Sequence, residues 1–191
     1  VSISELGCNP IVVEQRTKKV YDGAGGLVDE ITPFPIWIRP VAIDGTPMRQ
    51  TLEYSKSIVE KWINEHSECF PPIIIHITDG ESTDGDPRSV AESIKSLSTL
   101  DGNVLLFNLH LSSTNSSKIE FTNSSNNLPD KFAKLLYEMS SEFPDTMINL
   151  ARLQGFDQIS KGSRGFVFNG DIESIVRFLL IGTIAVLPQG S

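Results

Sequence analysis

The chain has 191 residues, 39% of them hydrophobic and 21% charged, with a formal net charge of −8 and a pI near 4.9. That size suits one globular domain with a substantial core, and an acidic surplus spread along it argues against a nucleic-acid or anionic-membrane binder, both of which need a concentrated basic face. The longest late apolar run, residues 178–187, is interrupted by Gly182 and Thr183 and is too short to span a bilayer. Cys8 and Cys69 lie far apart and match no C-x-x-C spacing, so they read as reduced thiols and not as a disulfide framework or zinc site.

In chain order, residues 1–6 alternate apolar and polar, the period of a half-buried strand. Residues 11–13 are a second short apolar piece. Residues 22–26 (Asp-Gly-Ala-Gly-Gly) are a glycine-rich connector that lacks both the Gly-Lys-Ser/Thr of a Walker loop and the G-x-G-x-x-G of a dinucleotide turn. Residues 33–40, punctuated by proline, read as an extended segment approaching a sheet edge. From residue 47 to about 66 the apolar residues Met48, Leu52, Ile58, Val59, Trp62 and Ile63 recur at helical spacing, with Thr46 as N-cap and Pro47 in the first turn.

Residues 73–77 (Ile-Ile-Ile-His-Ile) predict a buried parallel strand, covered on both faces, that ends in Thr78-Asp79-Gly80-Glu81-Ser82. A second helix is expected over 87–97, with Val90, Ala91, Ile94 and Leu97 inward, then a turn at Asp101-Gly102 and a strand over 103–111. Residues 112–127 read as an exposed polar excursion with Asn-x-Ser sequences at Asn115 and Asn123, which matter only in a secretory compartment. Helices over 129–140 and 144–153, a strand over 165–168 and a helix over 171–180 follow. Asp171 caps the last, with Ile172, Ile175, Val176 and Leu179 expected inside. Alternating strand and helix patterns call for an α/β fold, a mostly parallel sheet with helices on both faces.

Two loops concentrate oxygen donors. One is Asp44-Gly45-Thr46-Pro47-Met48 and the other is Thr78-Asp79-Gly80-Glu81-Ser82, at the carboxyl end of the isoleucine strand, the sheet edge where ligands bind in open α/β folds. Asp, Gly, Ser and Pro are also ordinary turn residues, so a site and a plain turn both stay open on composition alone. A hydroxyl and one or two carboxylates can supply most of the protein's share of a Mg²⁺ shell, provided further acids offset the dipole of a nearby helix N-terminus.

Gly45-Thr46-Pro47-Met48 leading a helix, and Ile77-Thr78-Asp79-Gly80-Glu81 ending a strand, resemble the second and third motifs of the von Willebrand factor A-type domain. The resemblance continues through residues 102–108, 139–141 and 162–169 and points to prokaryotic stand-alone members. It implies a three-layer, doubly wound, Rossmann-like fold over residues 1–191. It also implies a metal-ion-dependent adhesion site holding Mg²⁺, Mn²⁺ or Ca²⁺ through Thr46 and Asp79. Gly45, Gly80, Glu81 and Ser82 would lie beside the partner, a protein ligand that presents an acidic residue. A cytoplasmic bacterial adaptor in stress signalling is the implied setting, with no nucleic acid and no membrane insertion.

The chain departs from that pattern in one respect. The first motif, Asp-x-Ser-x-Ser after the central strand, occurs nowhere in it, and residues 1–6 correspond to the second strand of the family. A further strand and helix of roughly 30 residues, the scale of a βα unit, are therefore expected upstream of Val1. His76 and His110 read as hydrogen-bonded core histidines, and His66 as a residue that favours a helix end. Ser82, Ser112 and Ser163 lack a histidine partner or a nucleophile-elbow context. Trp37 and Trp62 read as packing, and Glu81, Asp84 and Asp86 as a solvated loop. The expectation is a non-enzymatic, cation-dependent binding module; the alternatives are a degenerate interaction domain without metal and a Mg²⁺-dependent hydrolase.

Overall fold

The computed structural model describes residues 3–41, 45–112 and 116–184, so Asn115 lies outside the described residues. They fall into two compact units, Val1–Asp44 and Gly45–Ser191. The first holds helix α1 (Ile3–Cys8) and two long antiparallel strands, β1 (Val12–Tyr21) and β2 (Leu27–Ile36). The strand expected over residues 1–6 is helical from Ile3. Apolar alternation stabilises a strand only where a neighbour pairs with it, and this segment closes its hydrogen bonds locally, down to Asn9 Nδ2 donating to the Glu5 carbonyl at 2.8 Å.

The glycine connector is the turn of the β1–β2 ribbon. The Asp22 carboxylate accepts from the amides of Ala24 (2.8 Å) and Gly26 (2.9 Å), which holds its pKa below the ordinary range. Asp22 also donates its own N–H to the Gly26 carbonyl. Even-numbered residues therefore face the partner strand, and Pro33 and Pro35 lie on the outer edge of β2, where a missing N–H costs no ladder bond. The ribbon was legible only in its ends, because Glu14-Gln15-Arg16 and Lys18-Lys19 blur the period along β1.

The second unit is mixed α/β. Its main sheet has the order β3-β6-β8-β7, from β3 (Ile73–Thr78), β6 (Leu105–His110), β7 (Ile119–Glu120) and β8 (Phe166–Phe168). β3 and β8 flank β6 in parallel, and β7 runs antiparallel to β8. A small hairpin, β4 (Ser98–Thr99) with β5 (Gly102–Asn103), makes the turn at Asp101. Helices α2 (Met48–Glu65), α3 (Arg88–Lys95) and α4 (Lys131–Met139) share one apolar cluster with Leu106, Phe166 and Phe168. Helices α5 (Asp145–Leu153) and α6 (Ile172–Ile184) contribute to a second, with Leu105, Phe107, Leu109 and Val167. In β6, Leu105, Phe107 and Leu109 face the second cluster and Leu106 the first, as a strand covered on both faces requires.

The doubly covered strand is thus β6, all of whose residues are buried, and not the isoleucine strand. β3 is at the sheet edge and mostly half-buried, with Ile77 48% exposed. Leu105 and Leu111 donate their amides to the carbonyls of Pro72 and Thr78, so the even-numbered residues of β3 face β6. By the parity of a parallel ladder, the N–H and C=O groups of Ile73, Ile75 and Ile77 point to an edge on which no described strand lies.

Two other expectations change. The polar excursion is not wholly exposed: it carries β7, and Phe121 follows fully buried at φ 51°. In α6 the inward face is Ser174, Phe178 and Ile181, whereas Ile172 is 76% exposed and Val176 and Leu179 are more than 40% exposed. A helix apolar on nearly every face does not reveal by periodicity which face packs. Its cap is as expected, since Asp171 Oδ1 accepts from the Ser174 amide at 2.8 Å and the Ser174 hydroxyl at 2.9 Å. These bonds, with Lys118, bring the Asp171 pKa to about 2.

Candidate functional site

The two oxygen-rich loops meet. The Thr46 amide donates to Thr83 Oγ1 at 2.9 Å, and the Thr83 amide donates back to the Thr46 carbonyl at 3.0 Å. This reciprocal pair joins residues 37 apart and fixes Thr46 against the loop that follows β3. Gly45 makes the approach possible: a Cβ there would stand 2.7 Å from Thr83 Oγ1, and its φ of 85° is in the left-handed region.

Within the second loop the acids divide by duty. Asp84 caps α2, accepting from the amides of Arg49 (3.0 Å) and Gln50 (2.8 Å) and from the Ser82 hydroxyl (2.9 Å). Burial works against its charge, but those donors outweigh it and hold its pKa low. The helix start expected of Thr46 is therefore supplied by Asp84; Thr46 offers Met48 only its backbone carbonyl, at 2.7 Å. Asp86 accepts from the Arg88 amide at 3.0 Å and pairs with the Arg88 guanidinium at 2.8 Å, which also lowers its pKa. Neither acid is idle loop surface. Ser82 is likewise engaged, its hydroxyl 2.7 Å from the Gly85 carbonyl.

Asp79 and Glu81 remain: both are exposed, and neither carboxylate has a hydrogen bond or ion pair among the described residues. The half-buried Thr46 hydroxyl is similarly unengaged. This donor set is all oxygen and suits a hard divalent cation. Asp84 places a negative charge on the N-terminus of α2, where the helix dipole favours it. Among the described residues no group of three or more His, Cys, Asp or Glu side chains is arranged as a metal cluster.

The floor of the loop comes from β3 and β6. The buried Thr78 hydroxyl accepts the Gly80 amide at 3.1 Å, and His110 Nε2 lies 2.8 Å from the Asp79 carbonyl. The hydrogen-bonded role expected of the histidines matches their geometry. His76 Nδ1 meets Asn108 Oδ1 at 2.8 Å, and burial depresses its pKa, the Asn108 bond opposing in part. His66 bonds the Trp62 carbonyl at 3.0 Å and stacks on the Trp62 ring. Thr83 and Asp84 were not singled out as site residues by sequence reasoning, and no local signal marks them, since their partners lie 34 to 37 residues away.

A groove of about 730 Å³ opens at the opposite end of the strands, among Phe70, Asn103, Ser141 and Arg164. Its cations are already used. One Arg164 nitrogen donates to the carbonyls of Tyr137, Glu138 and Ser140, and Lys95 pairs with Glu92 at 2.7 Å. No helix of the described residues is long and apolar enough to cross a membrane. Set beside known families, curated proteins and solved structures, the chain finds no match.

Proposed function

We propose that this chain folds as a von Willebrand A-type, three-layer doubly wound domain that binds a partner protein through a divalent cation, Mg²⁺ or its substitutes Mn²⁺ and Ca²⁺. The observation that carries the reading is the division of labour in the strand-end loop. Thr83 holds Thr46 in place, Asp84, Asp86 and Ser82 build the loop, and the carboxylates of Asp79 and Glu81 face solvent with nothing to do. Thr46 and Asp79 would hold the ion, directly or through water, and an acidic side chain of the partner would take an open position on it.

The test is thermal unfolding of the full natural polypeptide with Mg²⁺, with Mn²⁺ and with chelator, for wild type and Asp79→Ala. An ion that binds only the folded state, at a hundred times its Kd, stabilises by about 2.7 kcal/mol, or about 5–10 °C for a protein of this size. A rise of that order in wild type and none in Asp79→Ala is expected. Identical midpoints under all three conditions would end the ion-mediated reading and leave an interaction surface without metal.

A further inference from the structure

We propose that His110 is a positioning residue for the cation site, a reading that rests on the ion-dependent function above. His110 ends β6 and is 2% exposed. A carbonyl only accepts, so the 2.8 Å contact with the Asp79 oxygen requires a proton on Nε2. Nδ1 is buried with no partner among the described residues. The ring is edge-on to Phe168, with centroids 5.0 Å apart.

The Asp79 carbonyl and the Gly80 amide belong to one peptide plane. His110 holds its oxygen and the Thr78 hydroxyl holds its N–H, so the plane on which the Asp79 side chain is mounted cannot rotate. Gly80 is part of the same device. At φ 105° it approaches so closely that a Cβ would stand 2.5 Å from His110 Nε2 and 3.0 Å from Cδ2 and Cε1. A leucine would fill this space without burying an unpaired nitrogen, and such a nitrogen requires a reason. The reason is the single N–H aimed at the Asp79 peptide.

Groups that orient a metal ligand from behind are worth about 10- to 100-fold in metal affinity. Mn²⁺ titration of the full natural polypeptide, read by the paramagnetic resonance of the free ion, tests this in wild type, Asp79→Ala, His110→Leu and His110→Gln, with circular dichroism to report the fold. His110→Leu should bind about tenfold or more weakly, and His110→Gln, whose amide nitrogen reaches the place of Nε2, should recover most of the loss. If His110→Leu does not fold, His110→Asn, polar but too short to reach the Asp79 carbonyl, takes its place with the same expectation. Wild-type affinity in the leucine or asparagine variant, with Asp79→Ala inactive, would overturn the role of His110 and leave the cation site standing. Equal loss in His110→Gln would also overturn it, as an effect of packing and not of the donated proton. No binding by wild type would overturn the ion reading and this inference with it.

Discussion

Asn108 is the polar centre of the second unit, and Asn108→Ala measures what that centre contributes. The residue sits in β6 with 0% exposure. Its Oδ1 meets His76 Nδ1 at 2.8 Å, and its Nδ2 donates to the Leu136 carbonyl at 3.2 Å and to Ser140 Oγ at 2.9 Å, joining β3, β6 and α4. Each bond contributes about 0.5–1.5 kcal/mol net. The orphaned groups differ, however: Ser140 keeps its own bond to the Leu136 carbonyl at 2.7 Å, and half-buried His76 can turn to water. A total near 3 kcal/mol follows, a large share of the 5–15 kcal/mol typical of folded proteins. At about 2–4 °C per kcal/mol for a protein of this size, the midpoint should fall by about 6–12 °C. Thermal unfolding followed by far-ultraviolet circular dichroism at neutral pH reads the change. Ser140→Ala, which deletes one member of the network, should cost about 1 kcal/mol. A midpoint for Asn108→Ala within about 2 °C of wild type would show that the network is not a net contributor and refute the reasoning.

Two other perturbations test the site and its surroundings. Asp84→Asn keeps the shape of the cap and removes its charge; the expected result is a lower midpoint and faster hydrogen exchange at the amides of Arg49 and Gln50, whereas unchanged exchange there would contradict the capping role. His76 is held below its ordinary pKa by burial, so the unfolded chain binds the proton more readily than the folded one. Stability should therefore be full above the unfolded value of about 6.5 and decline as pH falls below it, because the unfolded state then carries more protons. Denaturant midpoints at neutral and mildly acidic pH should show this slope in wild type and a shallower one in His76→Gln; equal slopes would assign the pH dependence to other groups.

The second unit was largely legible in the sequence, because its elements carry their own punctuation. Pro47, Pro87 and Pro144 mark helix starts, Asp130 and Asp171 sit where caps belong, and the Ile73 run and the 105–110 run have the length and composition of strands. What misled was anything decided by a neighbour distant in sequence. The isoleucine run and β6 look alike as strings, yet only β6 has described strands on both sides. Residues 1–6 alternate like a strand, but from Ile3 the chain has no pairing partner among the described residues and winds into α1. Phe121 is buried although it stands in a polar stretch, because β7 brings it beside Phe143 and Phe156. Thr46 and Asp79 could be picked out by their place at element ends. That Asp84 would be spent on α2 while Asp79 would stay free could not, since nothing local distinguishes the two acids.

The cap on α2 also sets an order of events. Asp84 lies 34 and 35 residues beyond the amides it holds, and Pro47 gives the helix no side-chain cap of its own. During folding the first turn of α2 therefore has no local partner until β3 has been laid down and the chain has looped back, and closing such a loop is a slow, entropically opposed step. The body of α2, with Leu52 and Val59 anchored in the core, can form well before that. In the native ensemble Met48, 1% exposed in the core, and the Asp84 carboxylate hold that turn together, so the position of Thr46 depends on one anchor from its own helix and one from a distant aspartate.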